Sequence, residues 1–334
     1  MKKLFFTLFL ALSICNFSQA KNKDVIEPEL QTILNQKSND LIDINIVFKS
    51  QVNSTKLMTK AGRSNTRDFV ISELKDFSVQ TQSDVLSILQ AEENNGNVAD
   101  INSLWIVNSI SCKASRDVIY QLASHPDIAS LCYNQEVQLI SKEEMSEIES
   151  QSTRALPVTH VVNVNADHVW EQGYTGKNVV VAVLDSGTNE KHHDIKNNLW
   201  EGLKDIDGDG VDDIINGWNF IANNSVITDD YGHGTHCAGI VCGDGTSGQI
   251  TGVAPDAKLM TVKIVGRAGS GTVAQMLSGV QFAVENGANI ISMSLGFKHY
   301  QVSTAQKEAI RSTFDNVLAA GVIVCAAAGN DGNT

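Results

Sequence analysis

Asn178–Asp185 reads NVVVAVLD, an unbroken valine-rich apolar run closed by an aspartate. A strand with one wet face alternates apolar and polar residues, whereas a run apolar throughout belongs to a strand covered on both sides, as in parallel sheets. Three later stretches have the same texture: KLMTVKIV (Lys258–Val265), ANIISMSLG (Ala288–Gly296) and GVIVCAAAGN (Gly321–Asn330). Between them Val273, Met276, Leu277, Val280 and Val284 recur at helical spacing, and a second helix is expected from Thr304 to Leu318. Strands alternating with amphipathic helices predict an α/β domain, a parallel sheet with helices on both faces.

Upstream the pattern differs. In LIDINIVF, Ile42, Ile44, Ile46 and Phe48 alternate with polar residues, predicting a half-buried strand. Thr66 is read as the cap of a helix through Val70, Leu74 and Phe77, with more helix through Val85 to Leu89 until Asn94-Asn95-Gly96 ends it. Leu104–Val107 reads as a strand, Ser115 caps a short helix through Leu122, and Ile128–Ile140 reads as one further strand. This β-α-β-α-β order predicts a small α+β, ferredoxin-like domain over 21–140. Residues 141–159, SKEEMSEIESQSTRALPVT, are polar and acidic and form an expected linker with a processing site, ahead of the larger domain at 160–334.

Residues 1–20, MKKLFFTLFLALSICNFSQA, have the two lysines, short apolar run and terminal small residues of a cleavable signal peptide, and the run is shorter than the roughly 20 residues needed to span a bilayer. Secretion, or a periplasmic or cell-surface location, is expected, with no membrane span. A net charge of −13 argues against a nucleic-acid partner. Export permits disulfides among the six cysteines, but spacing does not assign their pairing.

Working residues of open parallel sheets collect at the carboxyl ends of strands. Asp185 ends the first run, Asn330 ends the last, and His233 lies in DDYGHGTHCAG (Asp229–Gly239) at an expected helix start. Singly, each has an ordinary structural reading. Together, VAVLDSG, GHGTHCAG, SMSLG and AAAGND stand in the order and spacing of the subtilisin-like serine proteases, and residues from about 155 to 334 resemble that family. The resemblance implies that Asp185 orients the imidazole, that His233 is the general base, and that the amide of Asn330 stabilises the oxyanion. It implies a serine-type endopeptidase acting on polypeptides. The preceding domain is similar to the inhibitory propeptide that chaperones such enzymes.

The resemblance further implies that Gly269-Ser270-Gly271 and Ser294-Leu295-Gly296 grip a peptide as an added strand, with Leu295 and Ala326 to Gly329 walling the primary pocket. Cys237, one turn after His233, is expected to be a buried free thiol, as in proteinase K-like members. The family serine lies in a Gly-Thr-Ser-Met-Ala stretch that these 334 residues do not contain; Gly245-Thr246-Ser247 is followed by Gly248 instead. The expectation is therefore a chain cut short of its nucleophile and inert alone. The alternative from another class is a non-catalytic calcium-binding protein on the same fold.

DIDGDGVDDIIN, Asp205 to Asn216, fits a calcium loop. Asp205, Asp207 and Asp209 take positions 1, 3 and 5, Gly210 the turn, Val211 a carbonyl, and Asp213 position 9; Asn216 stands where a bidentate Glu is usual. Structural calcium is the expected cofactor, with no organic one. His192-His193-Asp194 reads as a structural turn, and the rival reading of GHGTH makes His233 and His236 zinc ligands with a neighbouring Asp.

Overall fold

The computed structural model describes residues 25–36, 40–61, 66–139, 158–206, 208–297 and 302–330. The signal peptide, the linker through residue 157 and Asp207 lie outside them. The chain divides into two compact units. One holds the described residues of Met1–Gln135 with those of Tyr300–Ala319, the other those of Glu136–His299 with those of Ala320–Thr334.

The first unit opens with α1 (Pro28–Asn35), β1 (Ile42–Phe48), α2 (Ser54–Ala61) and α3 (Thr66–Asn94). It continues through β2 (Val98–Leu104), β3 (Ser109–Ala114), α4 (Arg116–Ala123) and β4 (Ile128–Tyr133). The sheet is antiparallel in the order β2-β3-β1-β4, and the chain order β-α-β-β-α-β is that of the ferredoxin-like split unit. Ile44, Ile46 and Phe48 of β1 pack with Leu30, Leu34, Val85, Leu89, Ile119 and Leu122 in one core.

Two readings from the sequence are corrected here. Leu104–Val107 is not a strand: β2 ends at Leu104, and residues 105–108 turn the chain into β3. Apolarity misleads because the turn is itself buried. Asn108 makes it possible, at a φ of 44°, donating to the Ser50 carbonyl at 2.8 Å and accepting from Gln82 and Thr81 at 3.0 Å. Asn316 supplies the Ile106 carbonyl with a partner at 2.8 Å. Nor is Ile128–Ile140 one strand. It breaks after Tyr133, where Asn134 donates to Asp43 through both its amide and its side chain, and resumes as β5 (Glu136–Leu139) in a different sheet.

The second unit continues with α5 (Thr159–Asn163), α6 (Ala166–Glu171), β6 (Val180–Asp185), β7 (Gly202–Lys204), β8 (Asp213–Ile215) and β9 (Gly217–Asn219). Next come α7 (His233–Cys242), β10 (Lys258–Lys263), β11 (Ser270–Thr272), α8 (Val273–Glu285), β12 (Ile290–Met293) and β13 (Leu295–Gly296). Helix α9 (Thr304–Ala319) packs on α2, α3 and β4 of the first unit, and β14 (Ile323–Ala326) returns to the second. The main sheet is parallel, ordered β14-β12-β6-β10-β9, so each of the four apolar runs holds one of its strands and NVVVAVLD lies at the centre, but ANIISMSLG breaks at Ser294, and β14, at the edge among the described strands, is largely exposed instead of buried, with Ile323 57% exposed.

Residue parity on β6 decides what Asp185 faces. Val181 and Val183 pack with Ala238 and Cys242 of α7, whereas Leu184 lies on the α8 side. Side chains of a strand alternate, so Asp185 joins the face that α7 covers. On the other face Gly279 admits α8 closely: a Cβ there would sit 2.8 Å from Ile264 and 2.9 Å from Val262. A Thr272–Gln275 capping box starts α8, each partner bonding the other's backbone amide.

Candidate active site

Helix α7 begins at His233, so the histidine sits on its first turn above the carboxyl end of β6. Nδ1 donates to Asp185, 2.8 Å from Oδ1 and 2.9 Å from Oδ2. The carboxylate is 1% exposed and the imidazole 12%. The Asp185 carboxylate first, and then the Cys237 thiol, hold the imidazolium well above its ordinary 6.5, at about 10, against the desolvation that opposes the charge. With Nδ1–H directed at Asp185, the neutral ring carries its lone pair on Nε2, the arrangement of a general base.

A second carboxylate holds the helix start in place. Asp229 accepts from the amides of Tyr231 at 3.0 Å, Gly232 at 2.8 Å and Thr235 at 2.9 Å, from the Thr235 hydroxyl at 2.6 Å and from the Ser186 hydroxyl at 2.8 Å. Burial opposes its charge, but the donors of Thr235, Gly232 and Tyr231 together hold its carboxyl below the usual range. Ser186 closes the link: its amide donates to Asp185 at 2.7 Å, and its hydroxyl accepts from the Gly234 amide at 2.9 Å. Gly234 must be glycine, since a Cβ would fall 2.1 Å from the Gly187 carbonyl oxygen.

Beside Asp185 on β10, in register with it, stands buried Lys263, whose ammonium donates to the Ser186 carbonyl and to Asp230, the latter at 2.6 Å. Neither Asp229 nor Lys263 was singled out from sequence. The signals were present: an acidic pair just before the histidine, and a lone lysine within a buried apolar run.

The two expected peptide-gripping segments become β11 and β13, and β5 lies antiparallel between them. Val137 pairs with Gly271, Gln138 with Ser270 and Gly296, and Leu139 with Leu295; the Leu139 amide donates to the Gly269 carbonyl at 3.0 Å. Ser294 lies between β12 and β13. Val137 is fully buried and Leu139 is 9% exposed, while Glu136 and Gln138 face solvent. The sequence reading singled out the segments of β11 and β13 and did not foresee the strand that pairs with both.

Asn330 follows β14 at the carboxyl end of the same sheet, and it and residues 326–329 are exposed. His236 is exposed and outside the group of possible metal ligands formed by Asp185, His233 and Cys237, so the two-histidine zinc reading fails. Cys237 is a free thiol, as expected, but half-buried instead of buried; the other described cysteines are free as well. Ser247 donates its hydroxyl to buried Asp194, which also accepts the Ser247 amide at 2.6 Å. That serine serves the loop after α7.

The acidic loop joins β7 to β8 as a hairpin, with Lys204 opposite Asp213. Asp205 accepts from the amides of Gly208 at 2.7 Å and Gly210 at 3.0 Å, Asp209 from Val211 at 2.8 Å and Asp213 from Ile206 at 3.2 Å. Three of the expected calcium ligands thus turn toward the loop's own backbone. Asn216 lies beyond β8 and donates to the Trp200 carbonyl at 2.8 Å.

Known proteins agree with this picture. The subtilase family profile matches residues 176–334. Subtilisin DY of Bacillus licheniformis is 38% identical over 172 residues, 51% of this chain and 54% of its own. The major intracellular serine protease of Bacillus subtilis is 37% identical over 171 residues, 51% of this chain and 48% of its own. Subtilisin E of Bacillus subtilis is 26% identical over 276 residues, 82% of this chain and 62% of its own. The chain spans about half the length of the first two relatives. A buried carboxylate on the imidazole Nδ1 and a parallel sheet that delivers both groups accord with these likenesses, which make residues 176–334 similar to the subtilase family.

Proposed function

We propose that the protein is a secreted subtilisin-like endopeptidase. The observation that carries the reading is the His233 Nδ1 bond to an Asp185 carboxylate that is 1% exposed. In this reading Nε2 takes the proton of a serine hydroxyl and returns it to the leaving amine, and Asp185 stabilises the imidazolium formed between those steps. Asn330 donates its side-chain amide to the oxyanion. Residues 1–20 direct export before they are removed.

Residues up to Leu139 act as an inhibitory propeptide whose last strand, β5, occupies the substrate groove. Its support is the antiparallel pairing with β11 and β13, in which a polypeptide substrate would lie the same way. Calcium in the β7–β8 loop stabilises the fold and takes no part in the chemistry. Asp205, Asp209 and Asp213, the Val211 carbonyl and residue 207 would hold it, while Asn216, tied to Trp200, is a poor last ligand.

The test uses a chain that carries the Gly-Thr-Ser-Met-Ala segment of the family. It should hydrolyse a peptide substrate and remove its own first domain, and His233→Ala should do neither. Hydrolysis by His233→Ala at the wild-type rate would refute the assignment, and a gene that stops after Thr334 would favour the non-catalytic alternative.

A further inference from the structure

The proton transfers of the proposed reaction leave one buried charge beside them without a task. Lys263 is 4% exposed, on a strand whose other buried side chains, Leu259, Met260, Thr261 and Val262, are core. Taking an ammonium out of water is expensive, and an apolar side chain of the same length would fill the place without that penalty. Two acceptors compensate the charge: the Ser186 carbonyl and, at 2.6 Å, Asp230, whose side chain is 46% exposed.

Both acceptors belong to the frame that holds the histidine. The Ser186–Gly187 peptide is trans, so its carbonyl and its N–H point to opposite sides. Lys263 holds the carbonyl, and the nitrogen lies toward α7, 3.0 Å from where a Cβ on Gly234 would stand. The ammonium thus anchors, from the far side, the peptide against which the first turn of α7 packs. Ser186 carries the restraint onward: its amide donates to Asp185 Oδ1 at 2.7 Å, and its hydroxyl accepts from the Gly234 amide at 2.9 Å and donates to Asp229 at 2.8 Å. Asp230 lies in the segment that leads into His233, so the second acceptor restrains the imidazole's side of the pair.

We propose that Lys263 is a positioning residue for the His233–Asp185 pair, its ammonium fixing the Ser186–Gly187 peptide and Asp230 together so that Nδ1 stays on the carboxylate. The effect on turnover rests on the peptidase reading above. The effect on the pair does not, and the two are measured separately.

A proton held between an imidazole Nδ1 and a buried carboxylate resonates far downfield and reports the pair without substrate. Lys263→Met keeps the stem and loses the charge; it should shift or abolish that resonance while the far-ultraviolet circular dichroism stays wild type, because water reaches the half-exposed Asp230 left behind. Lys263→Arg keeps the charge and donors for both acceptors and should restore the resonance. Met260 alternates with Leu259, which packs with α7, and so lies on the opposite face of β10. Met260→Ala opens a cavity there and should lower the urea midpoint while leaving the resonance in place. Asp230→Asn, at the half-exposed partner, should shift the resonance by less than Lys263→Met. In a chain that carries the Gly-Thr-Ser-Met-Ala segment, Lys263→Met should lower kcat on the order of 10²-fold at nearly unchanged KM, and Lys263→Arg should recover most of it. A folded Lys263→Met with the wild-type resonance would overturn the proposal, as would a resonance lost equally in Met260→Ala. Should Lys263→Met not fold, an Asp230→Asn spectrum identical to wild type would overturn it instead. A serine-bearing wild type that hydrolyses no peptide would sink the peptidase reading alone, and the resonance would still decide the role of Lys263.

Discussion

Replacing Gly234 by alanine adds one methyl group where α7 passes over the end of β6. The new carbon would stand 2.1 Å from the Gly187 carbonyl oxygen and 3.0 Å from its amide nitrogen, with Asp185 Oδ1 at 3.2 Å. Real Cβ contacts essentially never fall under 3.0 Å, so the shortfall is about 0.9 Å. The obstructing atoms are backbone and cannot rotate away. The first turn of α7 must therefore move by about 1 Å, carrying His233 away from Asp185 and the Gly234 amide away from Ser186. Overpacking of this kind costs about 1–3 kcal/mol, and loss of the amide bond to the Ser186 hydroxyl adds about 1 kcal/mol. Gly234→Ala should thus be less stable by about 2–4 kcal/mol in urea unfolding of this chain. The far-downfield Nδ1 proton resonance of His233 should shift or vanish, and in the serine-bearing protein an error of ~1 Å at the base should lower kcat on the order of 10²-fold. A variant within about 0.5 kcal/mol of wild type that keeps the Nδ1 resonance would refute the argument that contact at this glycine fixes the pair.

Asp229→Ala removes the acceptor of three amides and two hydroxyls at the start of α7 and should cost about 2–4 kcal/mol by chemical unfolding, the sum of a lost helix cap and stranded donors. The raised His233 value implies a definite pH dependence. Folded protein binds a proton that unfolded chain releases between 6.5 and about 10, so the stability difference between wild type and His233→Gln should be largest below pH 6.5 and shrink as pH rises toward 10. A difference that is flat or grows with pH would contradict the pairing, and the acid limb of the pH–rate profile should lie above 6.5. Calcium should raise the Tm of the wild-type chain and have no effect on Asp205→Ala; equal melting with calcium and with chelator would reject the loop as a metal site.

The parallel sheet was legible because its central strands β6, β10 and β12 are apolar runs, a composition visible without coordinates. Asp185 and His233 were legible for a different reason: one closes an apolar run and the other starts a helix, and both stand in motifs that together resemble those of a known family. What escaped were places where burial and secondary structure part company. Leu104–Val107 is as apolar as a strand yet turns, because Asn108 adopts a left-handed φ and side chains from α3 and α9 meet its polar groups. Strand β5 escaped because alternation along Ile128–Leu139 continues across the break, and only the partners of Asn134 reveal that the chain changes sheets there. Lys263 escaped because its neighbours on β10 read as core, while its charge is met by groups distant in sequence.

The four residues of β5 reach their groove on a covalent tether. A ligand held in cis acts at an effective concentration in the millimolar range when its linkage is short, and it never diffuses away. In the reading proposed above, free peptides that bind more weakly than this would be shut out however competent the residues beneath. If β5 is the propeptide strand proposed above, the first bond such an enzyme cuts would be one of its own.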